Sequence, residues 1–204
     1  MKFNDLLADA FGRIQERVHE VLDGLDPNQL AERPGENGNS IAWLIWHLTR
    51  VQDDHIADVA GVEQRWTSGG WAELFDLPLD THETGYGHTS DQVSAVRVES
   101  GSLLAEYFDA VHRQSLEFIG SLTENELDRI VDTRWDPHVT LGVRLVSVID
   151  DCLEHAGQAA RGQRRAVAAA QQPLARCLDA DERDALVLDE RLEHADRVRA
   201  AADA

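Results

Sequence analysis

Four long segments of this 204-residue chain repeat apolar residues at helical spacing, and no segment shows the alternation of a strand; the chain is thereby confined to all-α folds. The first spans 3–25, with Phe3, Leu6, Leu7, Ala10, Phe11, Ile14, Val18, Val21, Leu22 and Leu25 on one side. The second covers roughly 41–60 and opens behind the turn Asn37-Gly38-Asn39-Ser40, with Ser40 as its N-cap. The third runs from about Asp91 to Ser121, with Val96, Leu103, Leu104, Tyr107, Phe108, Val111, Leu116 and Ile119 inward. Thr140 caps the fourth, which runs from Leu141 to about Ala170. Four such helices with one wide connection between the second and third describe a four-helix bundle.

The connections have signatures of their own. Asp26-Pro27 reads as an N-cap followed by proline at the first helical position, opening a short helix that ends before Arg33-Pro34-Gly35. Thr123-x-x-Glu126 is a capping box for another short helix, and a loop with Trp135-Asp136-Pro137 leads into the fourth long one. Between Gly61 and Thr89 the periodicity fails over a stretch holding Trp66, Trp71, Tyr86, His82 and His88 among several glycines, the composition of a functional loop. One domain over 1–160 is expected, its last helix continuing to about 170. Residues 171–204 then form a tail, in which 181–202 can make one further helix through Leu186, Leu192, Ala195 and Val198.

The formal charge of −19 argues against nucleic acid as a partner, because neutralising phosphate takes clustered Lys and Arg. That acidity belongs to the body of the chain: residues 1–160 carry 11 basic and 29 acidic side chains. Cys152 and Cys177 form no CxxC and no disulfide framework, and Cys152 reads as a small packed hydrophobe. The first residues lack the apolar core of a signal peptide, and no stretch is long enough to span a bilayer. A cytoplasmic protein with no membrane partner is expected.

Against this background three polar residues stand out. Asp151 and His155 are four apart in the fourth helix and so share a face. His47 sits in the second helix inside IAWLIWHL, a run too apolar for a surface helix. A lone histidine there is ordinarily a hydrogen-bonded core residue, and Asp151 beside Asp150 is ordinarily solvated. Isolated polar groups at equal depth on facing helices, however, can satisfy one another through a shared cation, as helical bundles do. Three protein ligands leave a coordination position open, the arrangement of a catalytic metal. Asp54, seven residues after His47, projects from about the same face and is a candidate base or imidazole acceptor; the alternative is one more charge in the polar run 50–55. His55 is rotated off that face, and Gln158 lies one turn beyond His155.

WHLTRVQDDH in the second helix together with DDCLEHAGQ in the fourth resembles the DinB-like superfamily of metal-binding four-helix proteins, over roughly residues 1–160. The resemblance implies an up-down-down-up four-helix bundle, here followed by a C-terminal helical tail. It implies His47, Asp151 and His155 as ligands of a divalent metal, zinc foremost, with nickel or iron as alternatives. Relatives include mycothiol-dependent maleylpyruvate isomerase, in which a glutamate stands where this chain has Asp151. Characterised relatives further imply a low-molecular-weight-thiol S-transferase or isomerase, with a thiol of the mycothiol or bacillithiol type as co-substrate. On that reading Arg50, one turn from His47, holds an anionic group of the substrate or thiol. Trp66, Trp71 and Tyr86 shield the reacting centre; His82 and His88, by their place in the 61–89 loop, either touch substrate or, as loop histidines mostly do, face solvent. A homodimer is implied as well. Two other functions fit the same residues: a hydrolase using metal-bound water with Asp54 as base, and a metal-binding stress protein without turnover.

Overall fold

A computed structural model describes residues 1–35 and 38–177. Four long helices dominate: α1 (Phe3–Leu22), α3 (Ile41–Ala60), α7 (Gly101–Ser121) and α8 (Leu141–Cys177), with α2 (Pro27–Ala31) a single turn between the first two. Their ends follow from the local sequence. The Asp26 carboxylate accepts from the amides of Asn28 and Gln29, Ser40 accepts from the Trp43 amide, and Gly61 closes α3 in the left-handed conformation. The 181–202 helix expected in the tail lies outside the described residues.

Helix directions can be read from paired contacts. Asn4 donates to the carbonyls of Ile119 and Leu122, whereas Gln15 and His19 meet Asp109, so α1 and α7 are antiparallel. His47 lies beside His155 while His55 meets Arg144, so α3 and α8 are antiparallel too. Gln163 donates to the Glu20 carbonyl, bringing late α8 to the end of α1 and setting those two parallel. The order is therefore up-down-down-up, as the resemblance implied. α3 is enclosed on nearly every side: Ile41 to Arg50 are all buried, which is why its apolar residues form no single stripe. Cys152 packs against it with its thiol on the Leu48 carbonyl, and burial pushes that thiol's pKa well up.

Three expectations change. The third helix does not begin at Asp91: α6 (Ser90–Ala95) ends early, Val96 and Val98 bury alternate side chains in an extended link, and Ser100 caps α7 anew. β-Branched Val96 and Val98 favour that extended backbone, and alternate burial satisfies both. The 61–89 segment is not free of helix; it contains α4 (Arg65–Ser68) and α5 (Trp71–Phe75). A small antiparallel pair, β1 (Ile130–Asp132) and β2 (Val139–Thr140), leads directly into α8, where no strand was expected. Two- and three-residue strands are too short for alternation to register in a sequence. Among the described residues no helix is long and apolar enough to cross a membrane.

Candidate metal centre

The facing helices bring His47, Asp151 and His155 together: one ligand atom from each lies within 4.8 Å of the others. Each is positioned by a different local cause. On α8 the i, i+4 spacing stacks Asp151 and His155, their Oδ1 and Nε2 atoms 3.6 Å apart. On α3 the His47 ring is stacked on Trp43, with centroids 4.6 Å apart and planes 18° apart, and it meets His155 edge-on at 4.7 Å. His47 Nδ1 donates to the Thr84 carbonyl, which cannot itself be the donor. The ring hydrogen is thus held on Nδ1, leaving the Nε2 lone pair for a cation, as where a metal-bound histidine donates its other N–H to a carbonyl.

Electrostatics agree with ligation. Burial lowers the His47 pKa, against the opposing effect of the Thr84 carbonyl, and so favours the neutral imidazole that a metal needs. Burial pushes the Asp151 carboxyl up, but the His155 imidazole and then His47 and His55 outweigh it, and the net direction is down. Two buried polar atoms here, Asp151 Oδ2 and His155 Nδ1, have no hydrogen-bond partner. Orphaned donors and acceptors are costly in a buried site, and a cation is the natural occupant of a set of two imidazoles and a carboxylate. Two imidazoles and a carboxylate are donors that zinc, nickel and iron all accept.

Beside the cluster opens a cavity of about 750 Å³, lined by His47 and Asp151 at one pole and by His55 and Arg144 at the other. That volume matches a small-molecule site. Asp54 is on its wall, its Oδ1 accepting from Gln64 Nε2 at 2.7 Å. Tyr86, 94% exposed, and Trp135, 66% exposed, flank it from two different loops.

Several sequence-derived roles move. Arg50 does not face this cavity. It is 0% exposed, donates to Gln64 Oε1 and the Glu83 carbonyl, lies 3.8 Å from Asp53, and packs over the Trp66 ring. Its donors are consumed in holding the 61–89 segment, which corrects its role as an anion-binding group. Trp66 and Trp71 pack against Tyr107 in the interior and do not wall the cavity. His88 is equally committed: its Nδ1 accepts from Trp43 Nε1 and its Nε2 donates to Glu83. His82 is exposed and its amide donates to Asp80, and neither His82 nor Gln158 lines the cavity.

The residues missed are instructive. Asp53, not Asp54, is the buried carboxylate: it accepts from the amides of Arg65 and Trp66 and from the Tyr107 hydroxyl, and so fixes the start of α4. Spacing from His47 singles out Asp54, and nothing local marks Asp53 as the buried one before the α4 backbone is in place. His55 and Arg144, which carry no role in the sequence reading, both line the cavity. Arg144 had a visible signal, seven residues before Asp151 on one helix face and alone in the apolar run LGVRLVSVI. His55 is only about 80° round α3 from His47, within the arc that a cavity of this width covers.

Residues 6–166 match the profile of the family described as Mycothiol-S-transferase. The fold resembles the crystal structure of a conserved protein from Enterococcus faecalis, with 31% identity and a TM-score of 0.78 over 82% of this chain and 99% of that one. No curated protein matches the chain.

Proposed function

The chain belongs to the mycothiol-S-transferase family, and from that membership and the cavity beside His47, Asp151 and His155 we propose a divalent-metal-dependent enzyme that transfers a low-molecular-weight thiol to a small electrophile. When bound, the cation supplies positive charge that lowers a thiol's pKa and keeps its sulfur nucleophilic at neutral pH. His47, Asp151 and His155 would hold that cation, with the Thr84 carbonyl keeping the His47 ring oriented. Asp54, on the cavity wall and partly exposed, would accept the thiol proton and pass it to solvent. Val51, Val143 and Val148 give the cavity an apolar side against which the carbon part of an electrophile would pack. In the transfer the sulfur–carbon bond forms as the electrophile's leaving group departs with its electron pair.

The observation that carries this reading is a ligand-competent triad at the end of a substrate-sized cavity. A structural metal site would be closed by four protein ligands, and a bare storage site would need no such space. The reading is tested by metal content of untagged wild type and Asp151→Ala, followed by thiol-dependent loss of chlorodinitrobenzene. Near-stoichiometric zinc, nickel or iron that is lost in the variant, together with turnover in the wild type, supports it. Metal-free wild type that also fails to take up added divalent ions would sink it.

A further inference from the structure

The far pole of the cavity is as organised as the metal pole. Arg144 projects from α8, its side chain only 11% exposed, and lines the cavity. One terminal nitrogen donates to His55 Nδ1 at 2.7 Å and the other to Asp132 Oδ2 at 3.1 Å. Asp132 is in turn held by Arg134, through its amide, its Nε at 3.0 Å and its Nη2 at 2.8 Å. One carboxylate therefore serves two guanidinium groups, and Arg134 also lines the cavity. Because a guanidinium can only donate, His55 Nδ1 must be the acceptor, and its ring hydrogen resides on Nε2. With Nδ1 consumed, the polar atom His55 has left for a cavity ligand is the Nε2–H donor.

We propose that this pole is a carboxylate subsite, in which Arg144 and His55 Nε2–H, with Arg134 at the rim, bind an anionic oxygen group of the electrophilic substrate. The proposal deepens the transferase reading by naming its substrate class; the subsite itself needs no metal. Three acids lie near this pole: Asp132 is shared between the Arg134 and Arg144 guanidiniums, Asp54 is 42% exposed and engaged by Gln64, and Asp58 is exposed. The first is met by two cations, the second by water and an amide donor, and the third by water. Eight residues separate His47 from His55 on α3 and seven separate Arg144 from Asp151 on α8, which puts the poles about 10–12 Å apart. A substrate bridging them carries its carboxylate several bonds from the carbon that meets sulfur. A buried arginine fixed on two sides is preorganised for such a group, since little rotamer freedom is lost on binding.

The test uses full-length protein incubated with zinc and then freed of excess metal, and a matched pair of probes, benzoate and its neutral isostere benzamide, with dissociation constants from ligand-observed NMR. Wild type and His47→Ala should bind benzoate alike and more tightly than benzamide. Arg144→Gln should lose at least about tenfold in benzoate affinity, the size of one charge-assisted hydrogen bond, with benzamide unchanged. His55→Phe, which removes a donor and leaves the guanidinium, should lose several-fold and decides the matter if circular dichroism shows Arg144→Gln unfolded. Benzoate no tighter than benzamide, or unchanged in either subsite variant, overturns the proposal. Benzoate binding lost in His47→Ala but kept in Arg144→Gln also overturns it, because the metal is then the anion site. Metal content measured on the same samples keeps the two readings apart: a metal-free wild type ends the transferase reading and leaves the benzoate comparison standing.

Discussion

At the scale of single residues, the candidate metal centre depends on a glycine as much as on His47, Asp151 and His155. Gly85 has φ +99°, and a Cβ there would lie 2.6 Å from His47 Nδ1 and 3.1 Å from the Trp43 ring. Any side chain both strains the backbone and presses on the nitrogen that donates to Thr84. Gly85→Ala should therefore weaken metal binding by about tenfold or more, the range expected when a ligand loses its orienting partner. Competition against a chromogenic chelator would measure it, and an unchanged affinity would show that the loop does not orient His47. The same scale separates Arg50 from His47. Both lie on α3, but Arg50 and Asp53 are 0% exposed and tied to backbone, so truncating either costs stability, about 3–5 kcal/mol for breaking a buried charge pair.

At the scale of elements, the short β1–β2 pair couples the approach to α8 with the cavity. Its Asp132 carries ion pairs to Arg134 and Arg144, and Arg129 donates to the Val59 carbonyl at the end of α3. The Arg134 hydrogen bonds, then its charge and that of Arg144, hold the Asp132 carboxyl well below the usual carboxylate range. A lowered native pKa contributes stability that is present above the unfolded value, near 4, and is lost as pH falls below it toward the native value. Asp132→Asn lacks this contribution. Urea midpoints of wild type and variant should differ by a constant amount from pH 7 to about pH 5 and converge on further acidification. A difference independent of pH down to 3 would mean the pairs add nothing to folding.

At the scale of the molecule, the core does not depend on the metal: Phe11, Ile14, Trp46, Tyr107, Phe108 and Leu145 are buried in one cluster across the four helices. Chelation should leave the helical circular dichroism intact. Added zinc at a hundred times its dissociation constant should stabilise the fold by about 2.7 kcal/mol, raising the melting temperature by roughly 5–10 °C. His47→Ala should abolish that shift while melting near the chelated wild type. Unfolding on chelation would instead assign the metal a structural role.

The sequence by itself determined the bundle, the caps at Asp26, Ser40 and Thr123, and the grouping of His47 with Asp151 and His155. Each of these is expressed by short-range periodicity, by a local side chain-to-backbone bond, or by polar residues isolated in apolar runs. It was silent where the deciding partner lies far along the chain. Asp53 outranks Asp54 only because the α4 amides arrive twelve and thirteen residues later. Arg50 is spent on the Glu83 carbonyl and Gln64, and Arg144 becomes a cavity residue only when α8 brings it against His55, eighty-nine positions earlier. Which charges are buried as struts and which are left facing a cavity is a property of packing, because hydrogen-bond donors are committed by proximity in space and not by spacing along a helix.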